Sequence, residues 1–353
     1  MHGNIALKAD ARPGRVLIVD DSAVARAVLA RVLARSDRLD VVGSVPTAGA
    51  ARTFLATRQA DLIILDIQMP DVDGLTALPD LIAAGRGAKV LIVSSAAGEG
   101  AAATVQALAL GAADTLVKPA PGERAHRFET GLIEKLERLL DAQATPVSAS
   151  RRAPLPAAGE AFDIVAIGAS TGGIHALSQL FREIPASMRA PILVTQHLPA
   201  SFMSYFTTQL SLLSHRPCEI ATDRLRIRPG RVVIAPGDAH MRCVSLGDGG
   251  TALRLSTEPA ASGCMPSVDP MFDSVAECFG PRALAVVLSG MGRDGTAGAR
   301  RIVASGGCVL VQDEASSAVW GMPGSVAGAG LAAVLLDPQG IGRVLASGRR
   351  PQC

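Results

Sequence analysis

No two of the six cysteines (Cys218, Cys243, Cys264, Cys278, Cys308 and Cys353) stand in a C-x-x-C pair, so the usual spacing of a zinc ribbon or dithiol redox centre is absent. The thiols read as reduced and mostly buried. The first residues, MHGNIALKADARPGR, lack the apolar stretch of a secretory leader. Charge of one sign is also scarce: 34 Lys and Arg face 32 Asp and Glu, a formal net charge of +2. That balance argues against a nucleic-acid partner, and Arg151, Arg152, Arg349 and Arg350 are small solvated basic spots. One uncharged run, Ala315 to Leu336, is long enough to cross a bilayer, but glycines, serines and Pro323 interrupt it. These absences predict a cytoplasmic protein without membrane insertion.

What is present is apolar mass. At 48% hydrophobic and 19% charged residues, with a mean hydropathy of +0.31, the chain can bury large cores. Its 353 residues exceed the roughly 250–300 that a single core usually serves, so two domains are expected. From Arg15 onward, short β-branched runs alternate with helical patterns: RVLIVDD, LDVVGSV, DLIILDI, KVLIVSS and DTLVKP are each followed by a helical segment. Five such units predict a doubly wound α/β domain over residues 14–142, with a parallel sheet covered on both faces. Residues 143–160, rich in proline, alanine and serine, read as a linker. Residues 161–349 resume the alternation and predict a second, mostly parallel α/β domain. Its antiparallel insertion is expected in RVVIAP, MRCVSL and ALRLST.

In the first domain, Asp20 and Asp21 end the first strand and Asp66 the third, so three carboxylates converge at one sheet edge. Oxygen-only donors in that number suit Mg²⁺. Ser94 and Lys118, at the ends of the fourth and fifth strands, can bind a phosphoryl oxygen and its charge. The set VDDS, LDIQMPDVDG, VSS and VKP resembles the receiver domain of two-component response regulators. The resemblance implies that Asp66 is the phosphoacceptor. It also implies that Asp21, Asp66 and the backbone carbonyl of Gln68 bind Mg²⁺, with Asp20 acting mostly through water, and that Ser94 and Lys118 sense the phosphate. Thr115 stands where receivers usually carry an aromatic residue, which leaves the customary aromatic rotamer switch without its side chain.

The second domain opens with VAIGASTGG, in which Gly168 to Gly172 fit the G-x-S-x-G nucleophile elbow. Ser170 is either a nucleophile or a cap for the helix that starts near Gly173. A serine nucleophile needs a base. His197 closes the next core strand, PILVTQHL, and is preferred to His175, His215 and His240. Asp294, in MGRDGTAG, reaches the same edge and can hold an imidazole in its productive tautomer; alternatively it caps the helix near Gly295. Glycines near Ser170 and Met291 leave backbone N–H groups free for an oxyanion. The order serine, histidine, acid differs from that of α/β-hydrolases.

The stretches IGASTGG, VTQHLP, IAPGDAHM, PSVDPMFDSVA, LSGMGRDG and VQDEASSAVWGMP resemble, in order, the catalytic domain of the chemotaxis receptor protein-glutamate methylesterases. That family also joins this domain to a receiver. The resemblance implies a triad of Ser170, His197 and Asp294, with the Thr171 and Met291 amides in the oxyanion hole. It further implies hydrolysis of γ-glutamyl methyl esters on methyl-accepting chemotaxis receptors, deamidation of receptor glutamines, and no cofactor for the ester reaction. The expected phosphodonor is a histidine kinase of the CheA type, the unphosphorylated receiver is expected to inhibit, and the expected state is a monomer. Cys264 and Met265 replace a histidine and an arginine common in relatives. A DNA-binding output would need a basic recognition helix, and a nucleotide-binding module would leave His197 and Asp294 without a task.

Overall fold

The computed structural model describes residues 12–94, 99–119, 125–141 and 158–351. Most of the expected linker, with Arg151 and Arg152, lies outside them, as does Cys353. By contacts the chain forms two compact units, residues 1–94 with 116–141 and residues 95–115 with 142–353.

The first ten elements alternate without exception: β1 (Gly14–Val19), α1 (Ala23–Leu33), β2 (Leu39–Val45), α2 (Ala48–Thr57), β3 (Leu62–Asp66), α3 (Gly74–Gly85), β4 (Lys89–Ser94), α4 (Glu99–Leu110), β5 (Asp114–Val117) and α5 (Ala125–Asp141). The five strands form one sheet in the order β2-β1-β3-β4-β5. Ser22, Thr47 and Asp73 cap α1, α2 and α3, each side chain accepting the N–H three residues on. The order turns at β1, whose parallel register pairs Val19 with Leu65. Residues that follow β1 therefore lie beside the end of β3, at the crevice where such sheets place their sites. Gly74 lets the α3 start close over this edge, because a Cβ there would stand 2.1 Å from the carbonyl of Asp66.

The rest of the chain contributes β6 (Ala158–Ala161), β7 (Ile164–Ala169), α6 (Gly173–Phe181), β8 (Ile192–Gln196), α7 (Ala200–Ser214), β9 (Cys218–Ile220), β10 (Val232–Ile234), β11 (His240–Ser245), β12 (Thr251–Ser256), α8 (Val268–Phe279), β13 (Ala283–Val287), α9 (Thr296–Ala304), β14 (Cys308–Gln312), α10 (Met322–Gly328), β15 (Val334–Leu336), α11 (Pro338–Ala346) and β16 (Arg349–Pro351). Seven of these strands make a sheet in the order β15-β14-β13-β7-β8-β10-β9, and each neighbouring pair in it is parallel. β7, β8, β13 and β14 are buried along their whole length, as expected of strands covered by helices on both faces.

Two sequence expectations change. RVVIAP is not part of an antiparallel insertion: β10 lies parallel to β8 and to β9 within the main sheet. Its three core residues are all buried, which suits a doubly covered strand. Of the three expected segments, the other two form the antiparallel β11–β12 hairpin, and a second, small antiparallel pair joins β6 and β16. Cys308 is disulfide-bonded, against the expectation of reduced thiols throughout, whereas Cys218, Cys243, Cys264 and Cys278 are free. Pairing depends on spatial proximity, which cysteine spacing alone does not reveal. No helix among the described residues is long and apolar enough to cross a membrane.

Candidate active site and phosphoacceptor site

Sheet order explains why three distant sequence segments meet. β7 lies between β13 and β8, with Gly168 opposite Val287 and Ala169 opposite Gln196. The next residues in each strand, Ser170, His197 and the Leu288–Met291 turn, consequently share one rim. Backbone bonds fix the rim: His197 N donates to Ala169 O at 3.0 Å, and Ser170 N to Ser289 O at 3.0 Å.

Ser170 does not cap α6. Gly172, at φ 75°, is the N-cap and makes no side-chain bond, and Gly173 N donates to the backbone carbonyl of Ser170 rather than to its hydroxyl. The turn has room for glycine only, since a Cβ on Gly172 would come 2.4 Å from Ala318 Cβ. A Cβ on Gly290 would meet Met322 Sδ at 2.4 Å and Ser170 Cβ at 2.9 Å. Ser170 is therefore held from both sides by close-packed turns, with its side chain partly exposed.

Asp294 Oδ2 lies 2.8 Å from His197 Nε2. With Nε2 donating to the carboxylate, Nδ1 is the nitrogen left to take a proton. Among the described residues no hydrogen bond joins His197 to the Ser170 hydroxyl, an arrangement common before substrate closes a site. Asp294 also does something the sequence did not suggest. It does bond the Gly295 N–H at 3.0 Å, but the cap of α9 is Gly295, without a side-chain bond. Its main partners lie at the start of α8: the Ser267 hydroxyl donates at 2.7 Å and Val268 N at 2.8 Å. Burial alone would raise the Asp294 carboxyl; the bonds from His197, Val268 and Ser267 more than offset it and hold the group below its ordinary range. Burial and the neighbouring Asp294 charge push Asp269 up. For His197, burial works downward, but the Asp294 and Cys264 side chains outweigh it and lift the imidazole from 6.5 to about 9.

The amides of Thr171 and Met291 make no hydrogen bond among the described residues, so both can still donate to an oxyanion. Around them stand residues that the sequence did not mark. Gln196 Nε2 donates to Ser170 O at 2.9 Å, and Ser289 Oγ donates to Thr171 O at 2.8 Å. Their signal was available only as polar residues at the buried ends of core strands. The other histidines are committed or remote in role. His240 is buried, its Nε2 donating to Glu258 O and its Nδ1 accepting Ser267 N, both at 2.9 Å. His175 contacts Gln179 at 2.7 Å, and His215 ends α7 in a left-handed conformation.

In the five-stranded sheet, ligand atoms of Asp20, Asp21 and Asp66 lie within 4.8 Å of one another at the ends of β1 and β3. Lys118 Nζ is 2.7 Å from Asp66 Oδ2 and 3.3 Å from Asp20 Oδ2. Burial lowers the Lys118 ammonium, but its bond to Asp66 and the two acidic charges win and raise it. Asp66 is raised, because burial exceeds the opposing pull of Lys118. Asp20 accepts Ser22 N at 2.9 Å, and Gln68 N leans toward Asp66 at 3.4 Å. Ser94 is buried at the end of β4, and its carbonyl accepts Lys118 N at 2.9 Å. Oxygen-only donors crowded at one point fit a hard divalent cation. Thr115 is buried, with its hydroxyl unpaired.

Fold and residue sets together define a class: a response-regulator receiver joined to a parallel α/β unit that gathers a serine, a histidine and a carboxylate near one sheet rim. Residues 165–345 match the family described as CheB methylesterase, and residues 16–127 match the response regulator receiver domain. The chain is 40% identical to protein-glutamate methylesterase/protein-glutamine glutaminase 1 of Paramagnetospirillum magneticum, across 91% of this chain and 92% of the relative. It is also 40% identical to the Caulobacter vibrioides protein-glutamate methylesterase/protein-glutamine glutaminase 2, across 95% and 99%. The CheB methylesterase catalytic domain of Thermotoga maritima superposes with a TM-score of 0.51 at 34% identity, covering 53% of this chain and 99% of that one. The chain belongs to the CheB methylesterase family.

Proposed function

We propose that this protein is a phosphorylation-activated protein-glutamate methylesterase that demethylates chemotaxis receptors and also deamidates receptor glutamines. The observation that carries the reading is the 2.8 Å pair between His197, which follows the strand beside β7, and Asp294, in the loop after β13, at the rim that Ser170 shares. His197 Nδ1 takes the proton as Ser170 Oγ attacks the ester carbonyl, and the resulting imidazolium is stabilised by Asp294. The Thr171 and Met291 amides receive the oxyanion. His197 then protonates the departing methanol, and water, deprotonated by the same imidazole, splits the acyl-enzyme to leave a glutamate carboxylate. A glutamine side chain follows the same course with ammonia as the leaving group.

Regulation is assigned to the receiver. Asp66 accepts a phosphoryl group from a histidine kinase of the CheA type, and Ser94 and Lys118 contact the added charge. Asp21, Asp66 and the Gln68 carbonyl, with Asp20 nearby, would hold Mg²⁺, which would supply charge neutralisation for that transfer. The unphosphorylated receiver restrains the esterase, and phosphorylation shifts the equilibrium toward the released form. The protein works in the cytoplasm, on the receptors' cytoplasmic helices.

The decisive test follows methanol released from methyl-labelled receptors, with and without a phosphodonor. Ser170→Ala abolishes release, whereas Asp66→Asn keeps basal release and loses stimulation. Undiminished release from Ser170→Ala overturns the mechanism.

A further inference from the structure

The loop between β12 and α8 brings Cys264 to the imidazole–carboxylate pair. One ligand atom from each of His197, Cys264 and Asp294 lies within 4.8 Å of the other two. We infer that these three side chains form a binding site for a borderline-soft divalent cation, with Zn²⁺ as the type case, and that its occupation switches the esterase off.

The donor chemistry argues for this class of ion. An imidazole nitrogen, a thiolate sulfur and a carboxylate oxygen are the three ligand types that Zn²⁺ accepts, and three protein ligands with an open fourth position are a common zinc arrangement. Bonds of about 2.0–2.3 Å to a tetrahedral ion put ligand atoms roughly 3.5 Å apart. The widest pair therefore needs to close by at most about 1.3 Å, and if Nε2 is the ligand its 2.8 Å separation from Asp294 Oδ2 opens by roughly 0.7 Å to admit the ion. Cys264 is free to supply that movement. Its thiol is in the reduced form, and besides its interaction with the His197 imidazole it makes a weak contact, 3.9 Å to Ser262 O. Gly263 beside it has φ 70° with open space around it.

The other two ligands are already oriented. Asp294 is anchored by the Ser267 hydroxyl and the Val268 and Gly295 amides, outer contacts of the kind that aim metal-binding carboxylates. His197 and Asp294 would exchange part of their mutual bond for the ion, and the thiol proton, together with the second imidazole proton wherever His197 is protonated, would be released to solvent. His197 and Cys264 are both partly exposed, which gives the ion a path in.

The same chain thus holds two clusters that sort cations by softness. Asp20, Asp21 and Asp66 offer oxygen alone and favour Mg²⁺, whereas the sulfur- and nitrogen-bearing cluster favours Zn²⁺. A cation on either imidazole nitrogen removes the base: on Nδ1 it takes the lone pair that would accept the Ser170 proton, and on Nε2 it leaves Nδ1 carrying the ring proton. The inhibitory consequence, though not the binding, rests on the reading of His197 as the esterase base.

The test titrates the full chain with Co²⁺ and follows the thiolate-to-cobalt charge-transfer absorption. Zn²⁺ affinity is then measured by competition with a chromophoric chelator. Wild-type protein is expected to develop the band and to bind Zn²⁺ at least about tenfold more tightly than Cys264→Ala or Cys264→Ser, neither of which shows the band. Asp66→Asn is expected to retain both properties. A band that persists in both Cys264 variants, no band in the wild type, or equal Zn²⁺ affinity overturns the site. Methanol release is read in parallel: Zn²⁺ is expected to suppress it in wild type, with recovery on adding a chelator. Cys264-dependent binding without suppression overturns the switch. Failure of the esterase reading itself would show as no release in any arm, while the cobalt band would still report on the site.

Discussion

The carboxylate of Asp294 accepts the backbone N–H of Val268 at 2.8 Å, linking the loop after β13 to the first turn of α8. The helix's unpaired amides and the positive end of its dipole stabilise a negative charge there. Ser267, the N-cap residue, makes no bond to its own helix and donates to Asp294 instead. One carboxylate therefore both closes the helix and holds the imidazole.

Asp294→Asn should consequently separate two effects. Its kcat/KM for methanol release is expected to fall about 10³- to 10⁴-fold, through loss of the charge and tautomer control on His197. Asp294→Ala should add a stability loss of about 1–3 kcal/mol, because the Ser267 and Val268 donors are left buried and unpaired. Steady-state kinetics and denaturant titration read the two effects separately.

The pH dependence follows from His197, raised to about 9. The base must be neutral, so kcat/KM should climb with pH through that region rather than near the ordinary 6.5. Cys264→Ala removes one of the side chains that raise the imidazole, and the rising limb should move to lower pH. A profile measured with chelator present checks both. The stability sign is opposite: a raised histidine contributes fully below about 6.5 and loses that contribution as pH rises through about 9. Thermal melts of wild type should therefore decline over that window, and those of His197→Ala should decline less.

Gly172→Ala should damage the serine turn. Its φ of 75° disfavours any L side chain, and the added Cβ would meet Ala318 Cβ at 2.4 Å and Ser289 Oγ at 2.8 Å. A cost of about 1–3 kcal/mol is expected, along with at least about a tenfold loss of kcat as the neighbouring Thr171 amide shifts.

Lys118→Ala should blunt phospho-stimulation. Its ammonium lies between the Asp66 and Asp20 carboxylates, where an added phosphoryl charge would draw it. The ratio of esterase activity with and without phosphodonor is expected to fall toward one. Retention of full stimulation would remove Lys118 from the signalling role.

Much of this protein was legible as a string. Period, strand composition and turn residues marked both parallel domains, because a strand covered on both faces must be apolar throughout, and VLIV, LIIL and ILV have no other natural place. Groups that end such strands collect at the rim of their sheet, so position made Asp20, Asp66, Ser170 and His197 candidates, while the choice between nucleophile and helix cap for Ser170 stayed open until the family resemblance was drawn. Only the tertiary structure decided what depends on lateral strand order and loop path. RVVIAP joined the main sheet, since it lies parallel between β8 and β9 rather than folding back on the β11 segment that follows it. Asp294 bonded the start of α8 rather than only the helix that follows it, and Cys264 reached His197. Contacts of that kind arise across long sequence separations, where local propensity carries no information and packing settles which polar groups meet.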